Sequence, residues 1–323
     1  MDDNRWLSDA TVRRLQETVD APDFSGTRYR LVRRVGRGGM GSVYLAEDPS
    51  LARLVALKVL DVDDARGDLA ERLVQEARIL ARLEHPGIVP VHDVGRLSDG
   101  RVFYAMRFVE GERLDRHVAA RPGLPERMRL FLRVCEAVAF AHSRGVLHRD
   151  LKPENVMVGP FGEVLVMDWG IAKLLRDAAA PPGAATSAGA AEDRADRTGH
   201  GSVLGTPGFM SPEQERGETD TLDARSDVWA LGAVLRSLLP GDPPAPLRAV
   251  CAMATAEHPA ARYASALDLA ADVTRYLDGR RVQAYRERLL ERGRRLYANH
   301  RVAFWLVATY LVVRGALLVF LRR

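Results

Sequence analysis

One short stretch of the sequence places three side chains suited to phosphoryl transfer close together. The run HRDLKPEN, residues 148–155, contains Asp150, Lys152 and Asn155 and leads into the apolar run VMV. An aspartate can receive the proton of an attacking hydroxyl, a lysine can stabilise a transferred phosphate, and an amide oxygen can bind Mg²⁺. The spacing therefore indicates a single site at which a phosphoryl group could be transferred.

A second candidate is Asp168, which lies in the run VMDWGIAK of residues 166–173. Taken alone, this aspartate is explained as well by a buried turn at a strand end as by a metal site, because Asp and Gly are common turn residues. The residues around it in the sequence must decide between the two.

Upstream, the run GRGGMGSVYLA places Gly36, Gly38 and Gly41 in a G-x-G-x-x-G pattern, with Arg37 and Gly39 between them. Glycines let backbone N–H groups approach phosphate oxygens. The same pattern occurs in dinucleotide-binding folds, but those need a helix directly after the glycines. Here SVYLA follows with the pattern of a strand, so the glycines are predicted to close a hairpin.

Two charged residues come next. Lys58 closes the apolar run VALK and could hold phosphate oxygens, although a lysine at a strand end, seen alone, is better explained as an ordinary solvated residue. Glu76, within VQEARIL on the helix predicted to follow, could pair with Lys58 and fix its position.

The order of these elements resembles the protein kinase family over residues 29–280. The resemblance is greatest to the bacterial Hanks-type serine/threonine kinases that carry a C-terminal membrane anchor. It implies an α+β, two-lobed protein kinase fold, with a small β-rich N-lobe and a larger helical C-lobe. It also implies the use of ATP with Mg²⁺, with Mn²⁺ as an alternative ion.

The resemblance implies a role for each matched residue. Lys58 would bind the α- and β-phosphates, held by Glu76, while Asp150 would be the catalytic base and Lys152 would contact the γ-phosphate. The residues expected to bind Mg²⁺ are Asn155 and Asp168, and those expected to surround ATP are Gly36, Arg37, Gly38, Gly39, Gly41, Val43, Ala56, Lys58, Met106 and Met157.

The run GTPGFMSPE, residues 205–213, resembles the end of a kinase activation segment. Thr206 would lie near the base, and Gly205-Thr206 together with Lys152 favours serine/threonine over tyrosine substrates. Further along, Asp227 would brace the catalytic loop, and Arg262 would pair with Glu213.

Arg149 precedes the base, as in kinases that are switched by phosphorylation of the activation segment. Candidate phosphorylation sites in this chain are Thr186, Ser187, Thr198 and Ser202.

The sequence departs from the family pattern in four places. Trp169 replaces a phenylalanine and is expected to pack under the Glu76 helix, and Ser211 replaces an alanine. The middle of segment 168–213 is long and of low complexity. Most consequentially, Asp227 and Arg262 lie only 35 positions apart. The C-lobe is therefore expected to be shortened after the Asp227 helix and to lack a substrate-docking helix.

The predicted organisation follows the chain. Residues 1–27 form a lead-in, and the kinase domain takes residues 28–280. Within it, the N-lobe spans 28–105, the C-lobe spans 110–280, and the activation segment, predicted to be mobile, spans 168–213. A basic juxtamembrane segment, 281–301, and a transmembrane helix, 302–321, complete the prediction.

The overall composition gives little further information about the class of protein. The 323 residues are 47% hydrophobic and 28% charged, with a net charge of +4, which is typical of a globular protein. The arginines of residues 280–301 indicate a solvated or membrane-proximal face, and no nucleic-acid partner is expected. Two widely separated cysteines, Cys135 and Cys251, indicate a reducing cytosol.

The run VAFWLVATYLVVRGALLVF, residues 302–320, is close to the length that a helix needs to cross a bilayer. Arg314 interrupts it at a cost of about 2.5–3.5 kcal/mol, which the surrounding Leu, Val and Phe residues offset at about 0.3–0.6 kcal/mol each. A buried amphipathic helix is the alternative. The arginines before the run predict a single-pass protein of the inner or plasma membrane with its kinase domain in the cytoplasm.

The leading hypothesis is a membrane-linked serine/threonine protein kinase that phosphorylates protein substrates and, through contact between two kinase domains, itself. The expected partners are these proteins and membrane lipid. A pseudokinase scaffold that binds nucleotide or partners without efficient catalysis is the alternative, motivated by the shortened C-lobe. The presence of the lysine, the base and the metal positions argues against it. A small-molecule kinase is disfavoured by GTPGFMSPE.

Overall fold

In a computed structural model, the chain forms two compact units. The described residues are 22–38, 41–60, 74, 77–78, 80–120, 123–169, 208–218, 222–287, 291–293, 297 and 300–321. Among them, the first unit takes residues 22–114, 148–150 and 154–169, and the second takes 115–147, 151–153 and those from 208 onward.

A five-stranded antiparallel sheet forms most of the first unit. Its strands are β1 (Arg30–Gly38), β2 (Gly41–Asp48), β3 (Arg53–Leu60), β4 (Val91–Arg96) and β5 (Val102–Arg107), in the order β1-β2-β3-β5-β4. Gly38 pairs with Gly41 across the first turn. The prediction that the glycines close a hairpin is therefore confirmed, whereas β4 was not predicted from the sequence.

The alternation of side chains along β3 positions Lys58. Val55, Leu57 and Val59 are fully buried and join one hydrophobic core. Since successive side chains of a strand point to opposite faces, Ala56 and Lys58 lie on the other face of the sheet.

The core of this unit extends back before residue 28. Phe24 is buried and makes edge-to-face contacts with Tyr44 and Phe103, at ring-centroid distances of 6.2 and 5.6 Å. The rest of the lead-in, residues 1–21, lies outside the described residues.

A second, three-stranded sheet carries the residues that precede Asp168. It consists of β6 (Glu112–Arg113), β7 (Val156–Val158) and β8 (Val164–Val166) in that order. The backbone of Val166 also bonds to Gly87 and Val89, on the segment that leads into β4. Asp168 therefore follows a strand that is anchored to the rest of the first unit.

The second unit is helical. Its elements are α1 (Leu114–Ala119), α2 (Leu124–Ser143), α3 (Pro212–Glu215), α4 (Ala224–Leu238), α5 (Ala245–Ala254) and α6 (Ala266–Leu277). The long apolar helix α2 packs against α4 and α6, and α4 also packs closely on α5. At that second contact Gly232 is required, because a Cβ there would lie 2.6 Å from the Cβ of Ala254.

The interval between α4 and α5 is as short as expected. Residues 222–287 are all described, and within them residues 239–244 form a helix-free connection that contains Pro240, Pro243 and Pro244. Proline disfavours helix in the residue before it and removes a backbone donor. No additional helix therefore separates α4 from α5.

A buried carboxylate ties the residues after α6 onto this unit. Asp272 accepts hydrogen bonds from the Tyr263 hydroxyl, from Arg275 and from the backbone N–H groups of Gln283 and Ala284. The ordered fold of the second unit therefore continues past residue 280, the boundary predicted from the sequence.

Near the C-terminus, α7 (Arg301–Leu321) is a continuous helix. Most of its apolar side chains are exposed, including Trp305, Leu306 and Val312. Across the part of the chain that the structure describes, no helix was found to combine the length and the hydropathy that crossing a membrane requires.

Candidate active site

A buried histidine organises the loop that carries Asp150. His148 is fully buried, and its Nε2 lies 3.0 Å from the carbonyl oxygen of Met167. Because a carbonyl can only accept, Nε2 donates this bond and carries the proton. The other ring nitrogen, Nδ1, accepts from the backbone N–H of Asp150 at 3.3 Å. One neutral imidazole thus joins the residue before Asp168 to the backbone of Asp150.

Asn155 holds both the backbone and the carboxylate of Asp150. Its Nδ2 donates to the Asp150 carbonyl oxygen at 2.8 Å and to Oδ2 at 3.2 Å. The amide oxygen is therefore the atom that Asn155 can offer to a cation, while the Asp150 carboxylate is oriented for proton transfer.

The shortest contact between charged groups of the site joins β3 to the second residue after β8. Lys58 Nζ donates to Asp168 Oδ1 at 2.6 Å, and Lys58 is only 8% exposed. Burial acts to lower the pKa of Lys58, but the neighbouring Tyr104 and Asp168 outweigh it, so the net direction is upward. Lys58 therefore remains a cation that is suited to phosphate oxygens.

The backbone is strained at two positions of this site. Arg149 and Asp168 have φ values of 65° and 54°, in the left-handed region that non-glycine residues seldom adopt. Such strain costs about 1–3 kcal/mol and persists where surrounding contacts enforce it. Here both residues directly follow the partners in the His148–Met167 hydrogen bond, which holds the two turns in place.

Trp169 packs against the buried histidine of the Asp150 loop. Its ring lies 4.7 Å from that of His148, and the residue is 6% exposed. Within the described residues, the buried indole Nε1 has no hydrogen-bond partner. The predicted packing under the helix of Glu76 is untested, because Glu76 lies outside the described residues.

The residues predicted to surround ATP lie on neighbouring strands of the first unit. Val43 pairs with Lys58 across β2 and β3, and Ala56 pairs with Met106 across β3 and β5. The glycine positions Gly36, Gly38 and Gly41 and the intervening Arg37 lie at the β1–β2 turn, and Met157 lies in the middle of β7.

One further predicted site residue, Lys152, belongs to the second unit and is half-buried. The predicted site residues Gly39, Glu76 and Thr206 lie outside the described residues, as do the candidate phosphorylation sites.

In the second unit, Arg262 and Glu213 form the predicted pair. The guanidinium donates to both carboxylate oxygens, at 2.7 and 2.8 Å, and Ser226 adds a third hydrogen bond to Glu213. Burial acts to raise the pKa of Glu213, but these bonds and a backbone N–H outweigh it and lower the pKa to about 2. This pair fixes the end of the GTPGFMSPE run.

Two partners of predicted residues were not found from the sequence. His142 Nε2 donates to Asp227 Oδ2 at 2.8 Å, which gives Asp227 a partner on α2. Tyr104 lies directly across from Lys58 in the sheet and is buried, and burial raises its pKa to about 12. The pairing of Tyr104 with Lys58 could have been predicted only from the correct register of β3 and β5.

Together, these groups supply a positioned proton acceptor, a buried cation and oxygen donors. The Asn155 amide oxygen and the Asp168 carboxylate are the hard donors that Mg²⁺ prefers, so the residues present fit that ion. Among the described residues, no group of three or more His, Cys, Asp or Glu could hold a metal ion unaided. A site with two protein donors requires further oxygens, as phosphates provide.

Comparison with known proteins indicates the same chemistry as these side chains. A family model described as "Protein kinase domain" matches residues 29–269. The chain is 37% identical over 232 residues to "Serine/threonine-protein kinase PknD" of Protochlamydia amoebophila, which covers 65% of this chain and 23% of that protein. It is 38% identical over 240 residues to the protein of the same name from Chlamydia trachomatis serovar D, covering 66% and 24%. The chain thus spans about a quarter of the length of these curated relatives.

Among solved structures, the chain resembles the PknI kinase domain of Mycobacterium tuberculosis. The TM-score is 0.59 at 28% identity, and the match covers 78% of this chain and 96% of that one.

The Glu213–Arg262 pair predicts a specific acid sensitivity. The pKa of Glu213 in the folded state, about 2, lies below its ordinary 4.5, so its contribution to stability is complete above pH 4.5 and is lost as the pH falls toward 2. In urea titrations of the full chain, the free energy of unfolding should decline more steeply across this window than in Glu213→Gln. The difference should approach about 1.4 kcal/mol per pH unit.

Glu218→Gln is the control, because Glu218 pairs with Arg216 at an exposed position. Its slope should match that of the unaltered chain. Equal slopes in Glu213→Gln and the unaltered chain would show that the pair contributes nothing to the pH dependence.

Proposed function

The chain belongs to the protein kinase family, and we propose that it is a serine/threonine protein kinase that transfers the γ-phosphoryl group of ATP to hydroxyl groups of proteins. One observation carries this proposal: the Lys58–Asp168 ion pair and the Asp150–Asn155 hydrogen bonds occur in one compact unit. A proton acceptor, a phosphate-binding cation and oxygen donors for a divalent ion are the groups that this transfer requires.

Each of these groups has a defined task. The Asp150 carboxylate, oriented by Asn155, accepts the proton of the attacking hydroxyl, and Lys58 holds phosphate oxygens of the nucleotide. Asn155 and Asp168 would hold Mg²⁺, which neutralises charge on the transferring phosphate when it is bound. Lys152 supplies a further cation for the γ-phosphate.

The distribution of lysine supports these assignments. Of the 47 basic residues other than histidine, only Lys58, Lys152 and Lys173 are lysines. Arginine therefore carries nearly all the positive charge of this chain, and yet two of its three lysines stand at the proposed phosphate-binding positions. A compact ammonium on a flexible stem meets phosphate as a point charge, which a planar guanidinium does not do.

The class of substrate rests on sequence features and on relatives. Lys152 and the Gly205-Thr206 dipeptide favour serine and threonine, and the relatives from Protochlamydia and Chlamydia are named serine/threonine-protein kinases. Because those proteins are about four times longer, the protein substrates of this chain do not follow from theirs.

Phosphate transfer from γ-labelled ATP tests the proposal directly. The full chain should label added protein substrates on serine and threonine. Asp150→Asn should lower the rate by about 10²–10⁴-fold, because it removes the proton acceptor, and Lys58→Met should also lower it strongly. Asp278→Asn, at an exposed site on the second unit, is the matched control and should retain the full rate.

Equal background labelling by the unaltered chain and both variants would overturn the kinase proposal and favour a pseudokinase scaffold. Phosphotyrosine as the sole product would overturn the serine/threonine assignment.

We also propose that one kinase domain phosphorylates the activation segment of another. The support is Arg149 beside Asp150, which could pair with a phosphate, and the four Ser/Thr candidates between residues 177 and 206. When the unaltered chain is mixed with tagged Lys58→Met chain, phosphate should appear on the tagged chain at a rate that rises with concentration. Mass spectrometry that finds no phosphate in residues 177–206 would overturn this mechanism.

Finally, we propose that residues 302–321 anchor the chain in the inner or plasma membrane as a single pass, with the kinase domain in the cytoplasm. The support is the continuous helix α7. Its exposed apolar side chains lie next to one another in sequence as well as three to four residues apart, so they are not confined to one face of the helix. A helix that is apolar on all sides needs either a protein core or lipid around it. The preceding arginines favour the cytoplasmic side for the kinase domain.

Fractionation of cells tests this anchor. The full chain should remain in membranes at alkaline pH, and a chain that ends at residue 300 should be released. Val312→Arg combined with Val313→Arg should also release it, because each central arginine costs about 2.5–3.5 kcal/mol in the bilayer. Leu267→Arg, at an exposed position on α6, is the matched control and should stay bound.

Membrane association that survives removal of residues 302–323 would contradict the anchor. Accessibility of a C-terminal tag to protease from the cytoplasmic face alone would contradict the crossing.

A further inference from the structure

Tyr104 lies beside the lysine of the proposed active site in a position that the activity does not yet explain. β3 and β5 are antiparallel neighbours, and Lys58 pairs with Tyr104 in their register. Residues directly opposite each other on antiparallel strands project to the same face, with Cβ atoms about 4.5–5.5 Å apart. The phenol and the ammonium therefore emerge side by side from the rigid sheet.

Both side chains are nearly excluded from solvent. Tyr104 is 6% exposed and Lys58 is 8% exposed. A buried phenol hydroxyl needs a hydrogen-bond partner, and Lys58 and Asp168 are the charged groups that act on the pKa of the Tyr104 hydroxyl. Tyr104 is thus the third member of a group that otherwise consists of the Lys58–Asp168 ion pair.

The donors of Lys58 show what the tyrosine contributes. An ammonium group has three N–H donors. One is directed to Asp168 at 2.6 Å, and Tyr104, directly opposite Lys58 in the register of β3 and β5, is placed to accept another. Asp168 has a strained backbone in a segment outside the strands, whereas Tyr104 lies in the middle of a paired strand. Of the two partners, Tyr104 is therefore the one whose position is set by regular secondary structure.

We propose that Tyr104 is a positioning residue that holds the Lys58 ammonium in place for the phosphates of the nucleotide. When Lys58 exchanges its bond to Asp168 for phosphate oxygens, the bond to Tyr104 keeps the long side chain from rotating away. This role rests on the proposed function and is additional to the expected pairing of Lys58 with Glu76.

Nucleotide binding without turnover tests this role. Dissociation constants for ADP and for adenosine are measured with the full chain in the presence of a metal chelator, so that neither metal binding nor catalysis contributes. Tyr104→Phe should weaken ADP binding by about ten-fold, because it removes one hydrogen bond to a charged group. It should leave adenosine within about two-fold, since adenosine has no phosphate for Lys58 to hold.

Two further variants separate positioning from packing. In a Lys58→Met background, Tyr104→Phe should have no additional effect on ADP, because the group that it positions is already absent. Tyr263→Phe is the matched control, since it removes a buried hydroxyl that bonds to Asp272 in the second unit. It should leave the affinities for both ligands unchanged.

Several results would overturn the proposal. Equal weakening of ADP and adenosine binding would show that Tyr104 shapes the pocket, and an additive effect with Lys58→Met would show that it acts elsewhere. Unchanged binding in Tyr104→Phe, with an active unaltered chain, would reject the positioning role alone. An unaltered chain that binds neither ADP nor adenosine and transfers no phosphate would reject the proposed function and, with it, this role.

Discussion

The positive charge of Lys58, held almost out of water, is the constraint on which the first unit depends. An isolated ammonium in such a place would cost several kcal/mol, so a carboxylate must lie next to it. Asp168 meets this requirement from a position 110 residues further along the chain. The five-stranded sheet, which supplies the lysine, and the three-stranded sheet, which supplies the aspartate, must therefore fold against each other. The strained backbone at Asp168 is acceptable because Lys58 binds its side chain and His148 holds the carbonyl before it.

A related constraint governs the second unit, where a guanidinium is buried. Arg262 is surrounded by the carboxylate of Glu213 and by the carbonyl oxygens of Arg225, Ala256 and Glu257. The cation thereby ties α3, the start of α4 and the loop after α5 to one point. The direct connection between α4 and α5 and the close approach at Gly232 show that these helices pack without an intervening one.

The sequence was sufficient to predict the features that local pattern determines. The hairpin at Gly38 and Gly41 depends on a glycine pattern that is visible within a few residues, and the short interval after α4 depends on the spacing of Asp227 and Arg262. The Glu213–Arg262 pair and the roles of Lys58, Asp150, Asn155 and Asp168 came from family resemblance, and the structure adds the hydrogen-bond partners.

The features that escaped prediction depend on long-range placement. Strand β4 has no clear alternation, and its side chains are mostly half-buried, so its pairing with β5 fixes it. The position of Tyr104 opposite Lys58 requires the register of β3 and β5. The contact of Trp169 with His148 likewise joins two loops that are distant in the sequence. The same is true of residues 280–285, which depend on hydrogen bonds to Asp272 and lie beyond the predicted domain boundary.

Among the described residues the buried indole N–H of Trp169 has no acceptor, and this has a consequence for ligand selectivity. A buried donor without an acceptor costs about 1–3 kcal/mol, and any group that supplies the acceptor recovers that free energy. A compound that displaces the surrounding side chains and brings a carbonyl or ring nitrogen to Nε1 would therefore gain affinity from this chain. A kinase with phenylalanine at the same point offers no N–H, so the compound would gain nothing there. A single atom next to Asp168 thus gives medicinal chemistry a way to distinguish this chain from kinases that carry phenylalanine there.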